Sequence, residues 1–376
     1  MKTFRAAEFF AGIGLVRFAL EQEGIKVVFA NDFDAQKAKL YAANFNDSHF
    51  ILEDIRNIKG RNVPTVDLAT ASFPCIDLSL AGNRAGLHGQ HSNTFWEFAR
   101  VLEEMGRRRP RAILLENVVG FVSARRGEDL ANALACLNEL GYSCDLLIVD
   151  AKWFVPQSRP RVFIVGSSRR GKRRPILESA PEGGPSWLRG FMAKHPALKV
   201  REGQVPLPRP RKSTLADVVE RFAPNDPIWW DAERFRRFRS SLQPIHAKRL
   251  EQMQRLSTPV WATAYRRTRD GRPVWEIRAD GLSGCLRTAR GGSSRQAVVE
   301  AGRGSARARW MTPREYARLQ GASNYNFDGV RRNICLSAFG DAVCVPAVSW
   351  VTKHLLLPLL KNEDGTQTST QLSLAV

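Results

Sequence analysis

Short apolar runs alternate with stretches of helical spacing from the N-terminus to Gly166. Phe4–Phe10 is one such run and closes on Ala11-Gly12-Ile13-Gly14. Val16–Glu23, with Phe18, Ala19 and Leu20 apolar, has the spacing of a helix that Gly24 stops. Lys26–Ala30, Val66–Ser72, Ala112–Glu116, Ser143–Asp150 and Arg161–Gly166 read as further strands. Ala35–Asn44, Thr94–Met105 and Asp129–Leu140 read as helices between them. Such alternation predicts an α/β fold, a doubly wound and mainly parallel sheet, with ligands beyond the carboxyl ends of the strands.

From Arg169 the pattern changes. RRGKRRP opens a stretch rich in Pro, Arg and Trp, with VPLPRPRK, PIWW and RFRRFR, and the alternation is lost. Apolar periodicity returns in Thr312–Gln320 and Val343–Leu360, the latter with Pro346 placed for a helix first turn. The chain therefore divides into 1–168 and 306–376, two parts of one α/β domain, and 169–305, a smaller inserted domain.

Of the 376 residues 43% are hydrophobic and 25% charged, the balance of an ordinary globular protein. No run of about 18 apolar residues marks a membrane span, and Met1–Arg5 has no apolar leader. The cysteines at 75, 136, 144, 285, 335 and 344 include no CxxC pair, so neither a metal site nor a disulfide framework is expected, and a reducing compartment is. The charge changes the picture more. The formal net charge is +20, and residues 151–310 hold 34 Lys and Arg against 13 Asp and Glu. The remainder is close to neutral, 23 against 24. A neutral body with a basic insert points to a polyanion, and to nucleic acid before a merely basic surface.

Candidate chemistry gathers at the predicted strand ends. The glycines of Phe10–Gly14 allow a tight turn and close approach to a ligand, but do not make a full GxGxxG. Asn31-Asp32 follows the second strand, where an acid reads equally as a ribose ligand or, with Asp34, as a helix cap. Glu53-Asp54-Ile55 offers another carboxylate. Pro74-Cys75 places a thiol just after a strand, either a nucleophile or a small core residue. Leu115-Glu116-Asn117-Val118 ends a strand in a carboxylate, and the arginines of Gln157-Ser158-Arg159-Pro160-Arg161 precede one.

The order and spacing of these pieces resemble the cytosine-5 DNA methyltransferases. ENVVGF, GYSCDLLIVDAKWFVPQSRPRVFIVG, RWMTPREYARLQG and FGDAVCVPAV look like later motifs of that family, and the likeness covers the chain outside 170–305. Ser72-Phe73, Ile76 and Asp341 depart from the usual Gly-Pro, Gln and Asn. The resemblance implies a Rossmann-like methyltransferase domain with a target-recognition domain inserted between the QSRPR and TPRE motifs. It implies methyl transfer from S-adenosylmethionine to carbon 5 of a flipped-out cytosine in duplex DNA, releasing S-adenosylhomocysteine.

On the same ground Cys75 would add to cytosine carbon 6, and Glu116 would hold N3 and the amino edge. Arg159 and Arg161 would hold the base carbonyl, a phosphate and the developing charge. Phe10 and Phe33 would flank the adenine, Asp32 the ribose, and Asp54 and Ile55 the adenine edge. Pro74 would lie near the sulfonium, and Gly12, Gly14, Asp341 and Val343 at the methionine part. Ser79, Arg84, Gln157, Arg287, Arg290 and Gln296 are expected at the DNA. Leu80–Asn93, with Gly82, Gly86 and Gly89, has the composition of a loop that closes over it. The expected setting is a monomer in a bacterial cytoplasm, at the nucleoid, in a restriction–modification or phage-defence system. Double-stranded DNA is the expected partner, and no membrane. Its rivals are a tRNA-directed member of the same fold, a DNA-binding regulator without activity and, more distantly, a nicotinamide dehydrogenase.

Overall fold

The structure is a computed structural model that describes residues 3–45, 48–73, 94–168, 186–203, 205–288 and 295–362. Eight strands form one sheet in the order β3-β2-β1-β4-β5-β7-β6-β8. In chain order these are β1 (Phe4–Phe9), β2 (Ile25–Asp32), β3 (Phe50–Leu52), β4 (Leu68–Ala71), β5 (Ala112–Val118), β6 (Tyr142–Asp150), β7 (Pro160–Ser168) and β8 (Val200–Glu202). The first five are parallel, as the alternation predicts, and only β7 runs against its neighbours β5 and β6. That reversal brings the start of β7 to the edge where β1, β4 and β5 end.

Both faces of the sheet are covered, which explains the continuous apolar runs. Side chains alternate between two layers: Ala112 and Leu114 of β5 enter one, Ile113 and Leu115 the other. Helices α3 (Thr94–Glu104) and α5 (Glu128–Glu139) supply Phe95, Phe98, Leu102, Leu130, Leu134 and Leu137 to the second layer; the single turn α4 (Gly120–Ser123) lies between them. Helix α1 (Leu15–Gln22) packs in the first layer with α12 (Val345–Val351), while α2 (Ala35–Ala42) adds Leu40. The apolar stretch 332–361 is long enough to cross a bilayer by length and composition. It is instead broken between α11 (Arg332–Asp341) and α12 by extended backbone at Ala342 and Cys344, and continues into α13 (Leu357–Asn362). Its Leu336, Phe339, Val345, Val351 and Leu356 are core residues.

The basic segment is more regular than its composition suggests. Strands β9 (Val260–Arg269), β10 (Arg272–Arg278), β11 (Ala297–Gly302) and β12 (Ser305–Trp310) form a second, antiparallel sheet in the order β10-β9-β11-β12. Asp270-Gly271 and Arg303-Gly304 join its hairpins with positive φ at both residues, the two-residue turn that matches strand twist. Helices α8 (Ala232–Ser240) and α9 (Pro244–Gln254) bury Phe238, Leu250 and Met253 against it. The sheets do not divide at the expected residues 169 and 305. Strand β8 is an edge of the large sheet, Leu215 and Val218 of α7 (Leu215–Val218) lie in its core, and the small sheet runs to Trp310. Helix α6 (Ser186–Lys194) packs Leu188 and Phe191 onto the α3–α5 layer.

Where β12 leads into α10 (Pro313–Leu319), Arg309 and Glu315 form a fully buried pair. Arg309 also donates to the Glu220 carbonyl, and Glu315 accepts from the backbone of Glu220 and Thr312. Removing one member strands a buried charge. Arg309→Met should therefore cost about 3–5 kcal/mol of stability, and the double change Arg309→Met/Glu315→Leu should regain most of it, read by urea unfolding.

Burial also raises the Glu8 carboxyl to about 8. A carboxyl raised on folding stabilises fully below its unfolded pKa of about 4.3 and loses that contribution as the pH climbs through the folded value. Glu8→Gln should unfold at a higher temperature than the wild type at about pH 8 and match it near pH 4, in a thermal series across that range.

Candidate active site

A cavity of about 1220 Å³ opens at the edge where β1, β2, β4 and β5 end and β7 begins. Of the residues singled out above, Phe10, Gly12, Asp32, Phe33, Glu116, Arg159, Arg161, Arg287, Gln296, Asp341 and Val343 line it. Gly14, Asp54, Ile55 and Gln157 do not. Pro74, Cys75, Ser79, Arg84 and Arg290, and the segment Leu80–Asn93, lie outside the described residues.

On the β1–β2 side the backbone turns sharply at Phe10 (φ 55°) and Gly12 (φ 56°). Asp32 braces that turn: its carboxylate accepts from the Gly12 N–H at 2.8 Å and from the Asp34 N–H at 2.9 Å. The cap of α2 is Asp34, which accepts from Gln36 and Lys37. Asp32 is therefore free of the capping role and faces the cavity, where burial raises its pKa. Phe33 is 70% exposed at the rim. Gly14 serves packing, since a side chain there would meet Phe45 at 2.5 Å and Tyr41 at 2.9 Å. Asp54 caps a short turn and pairs with Arg56 at 2.6 Å, which holds its carboxyl below the usual range, and Ile55 is buried in the core.

Opposite, antiparallel pairing sets Arg161 against Val118, diagonal to Glu116 on the same face. The Arg161 Nε lies 3.0 Å from the Glu116 carboxylate, and both side chains are largely buried. Asn117 turns the other way and donates to the Phe73 carbonyl at 3.1 Å, fixing the chain just before Pro74. Arg159, 2% exposed, binds inward. Its terminal N–H groups reach the carbonyls of Leu286 (2.8 Å), Gly340 (3.3 Å) and Ala342 (2.7 Å), and its own backbone N–H meets Asp150. Gln157, expected at the DNA, has no exposed surface. It donates to the Leu319 carbonyl and accepts from the Leu286 N–H, so it is a strut beneath the cavity. Gln296 is 5% exposed and holds its backbone against Tyr316 and Met311, while its side-chain oxygen has no partner among the described residues.

Three contributions had no sequence signal read for them: Asn117, Cys285 and Lys37. Lys37 approaches Asp341 at 3.0 Å, and Thr288 donates to the same carboxylate. The acid that stands where an Asn is usual thus has a cationic partner one helix away. Cys285 lies 3.4 Å from Arg159 and 3.8 Å from Arg161. Burial by itself would raise its thiol, but the two guanidiniums hold it below the ordinary cysteine range. Burial pushes Cys136 and Cys344 up to about 12. Among these, Cys285 should be alkylated fastest by iodoacetamide at neutral pH, mapped by peptide mass spectrometry. Arg161→Gln should move its half-rate pH upward, and an unmoved profile would separate the thiol from the arginines.

Comparison with known proteins bears on what this cavity does. The description of the family named C-5 cytosine-specific DNA methylase matches residues 4–356. The Type II methyltransferase M.HpaII of Haemophilus parainfluenzae is 28% identical over 372 residues, 94% of this chain and 89% of that protein. M1.ScrFI of Lactococcus lactis subsp. cremoris is 35% identical over 169 residues, 44% of this chain and 42% of that one. The chain spans about half the length of most such curated relatives, as with M.DsaV of Dactylococcopsis salina, at 49%. In fold it is similar to the crystal structure of the S. pombe Dnmt2 methyltransferase, with a TM-score of 0.62 over 95% of this chain and 99% of that one at 17% identity. With the match running from the first strand to the penultimate helix, the chain belongs to the C-5 cytosine-specific DNA methylase family.

Proposed function

We propose that the protein is a DNA (cytosine-5-)-methyltransferase of the Type II modification kind, taking its methyl group from S-adenosylmethionine. The observation that carries this reading is the buried Glu116–Arg161 pair, facing across one cavity the carboxylate of Asp32. One wall suits a planar base with a hydrogen-bonding edge. The other suits a nucleoside with an amino-acid tail. The residues fit that cofactor: Gly12 leaves a cradle open at positive φ, the Asp32 carboxylate serves a ribose, Phe10 and Phe33 an adenine, and the Lys37–Asp341 pair matches a zwitterion. When bound, S-adenosylmethionine supplies an electrophilic methyl group and leaves as S-adenosylhomocysteine.

In this reading the target cytosine is flipped from the duplex into the cavity. The Cys75 thiolate adds to carbon 6, and the electrons of the 5,6 double bond become available at carbon 5 for the methyl group. Glu116 holds N3 and the amino group, which thymine lacks. Arg161 orients Glu116 and meets the base carbonyl. Arg159 is a positioning residue, since its terminal N–H groups are engaged by the backbone beneath and by Cys285. Loss of the carbon-5 proton to a base then expels Cys75. The strands and helices of 232–310 form the target-recognition part, with Arg287 and Gln296 at its inner edge, and a companion nuclease would read the same sequence.

Cys75→Ser should abolish methyl transfer and leave duplex binding, while wild-type protein should be trapped covalently on DNA carrying 5-fluorocytosine. Glu116→Gln should slow single-turnover methylation by roughly 30- to 1000-fold, the loss of a charged hydrogen bond to a reacting group. Bisulfite sequencing of DNA from expressing cells reads activity and motif together, with tRNA as the competing substrate. Full activity in Cys75→Ser, or methylation of tRNA alone, would overturn the reading.

A further inference from the structure

A second cavity, of about 420 Å³, lies between α8 and the small sheet. Its walls are the indoles of Trp230, Trp275 and Trp310, whose ring centres lie 5.2–5.5 Å apart, with Arg234, Arg237 and Arg266. The Arg234 guanidinium sits over the faces of Trp230 (4.9 Å) and Trp310 (5.3 Å). Stacking engages the guanidinium's face and leaves its N–H edge for a bidentate acceptor. That edge makes no hydrogen bond or ion pair with any described residue. The acid that also lines the cavity, Asp231, caps α8 by accepting from the Arg234 backbone N–H at 2.7 Å. The Trp230 indole N–H is buried beneath this surface and has no partner among the described residues. Burial lowers the Arg234 pKa, and the charges of Arg237, Arg266 and Arg295 do so against that of Asp231, so positive charge outweighs negative at the site.

We infer that this cavity holds one backbone phosphate of the substrate DNA, on Arg234 with Arg237 and Arg266 beside it, outside the pocket for the flipped base. A phosphodiester is anionic and offers only acceptors, which answers both the excess positive charge and the open N–H edge. Arg266 lines this cavity and the 1220 Å³ cleft alike, so DNA in the cleft passes the opening. The inference rests on the DNA reading above. The alternative is that Arg234 merely covers a tryptophan cluster.

Two variants separate these. Arg234→Gln removes the charge; Arg234→Lys keeps the charge and removes the planar N–H fork. Binding to a short non-cognate duplex would be measured against salt, with phosphate-ethylation interference as the map. The log–log salt slope of Arg234→Gln should be shallower by about 0.9, the value of one phosphate contact, with one ethylation-sensitive position lost and the methylated motif unchanged. Arg234→Lys should weaken binding at the same position with the slope kept, and it carries the test if Arg234→Gln folds poorly. Wild-type affinity, slope and interference pattern in Arg234→Lys and in folded Arg234→Gln would overturn the phosphate site while the DNA reading stands. A wild-type protein that shows no salt-dependent duplex binding would overturn both.

Discussion

A guanidinium with almost no access to water holds this cavity together. Arg159 comes from the short connection between β6 and β7, and its N–H groups bind the carbonyls of Leu286, Gly340 and Ala342. Those carbonyls belong to the run after the β9–β10 hairpin, to the last turn of α11 and to the break that follows it. A buried cation must find acceptors, because leaving them unmade costs more than any packing alternative returns. Two distant segments therefore converge on one side chain, and Gly340, whose missing side chain would strike the Arg287 carbonyl, lets them come close enough.

That convergence sets the electrostatics of the site. Arg159 directs its charge toward Cys285 and the backbone below, leaving Arg161 to pair with Glu116. The reversed strand β7 is what places Arg161 there, since a parallel strand would send its first residues to the opposite edge. On the cofactor side Asp32 has the complementary arrangement, a carboxylate that holds the glycine turn and still faces the cavity. The Lys37–Asp341 pair then ties the far end of the cavity to α2.

The basic segment uses its arginines in two ways. Arg309 is an internal strut paired with Glu315, and Arg269 and Arg307 pair with the cross-strand acids Glu276 and Glu300. Arg234 instead lies on indole faces with no acid bound to its edge. A high count of positive charge thus contains both structural pairs and free donors, and only packing distinguishes them.

The sequence alone determined the alternating elements, because strands buried on both faces must be apolar throughout and their helices must carry one apolar stripe. It also put Glu116 at the sheet edge, since a polar group that closes such a run lands there, whereas Arg161 precedes its run and only the family resemblance pointed to it. The β9–β10 hairpin carried a turn signal in Asp270-Gly271 that the sequence reading passed over among the surrounding arginines. What the tertiary structure decided were the partners. Asp32 and Asp34 read alike until the Gly12 N–H chose one. Gln157 and Arg161 read alike as polar residues of one loop, but one faces the core and the other the cavity. Asp341 met Lys37 across about 300 residues of chain. Periodicity encodes which face of an element a residue takes, whereas hydrogen-bond and ion-pair partners depend on which elements become neighbours, and that is set only when the whole core closes.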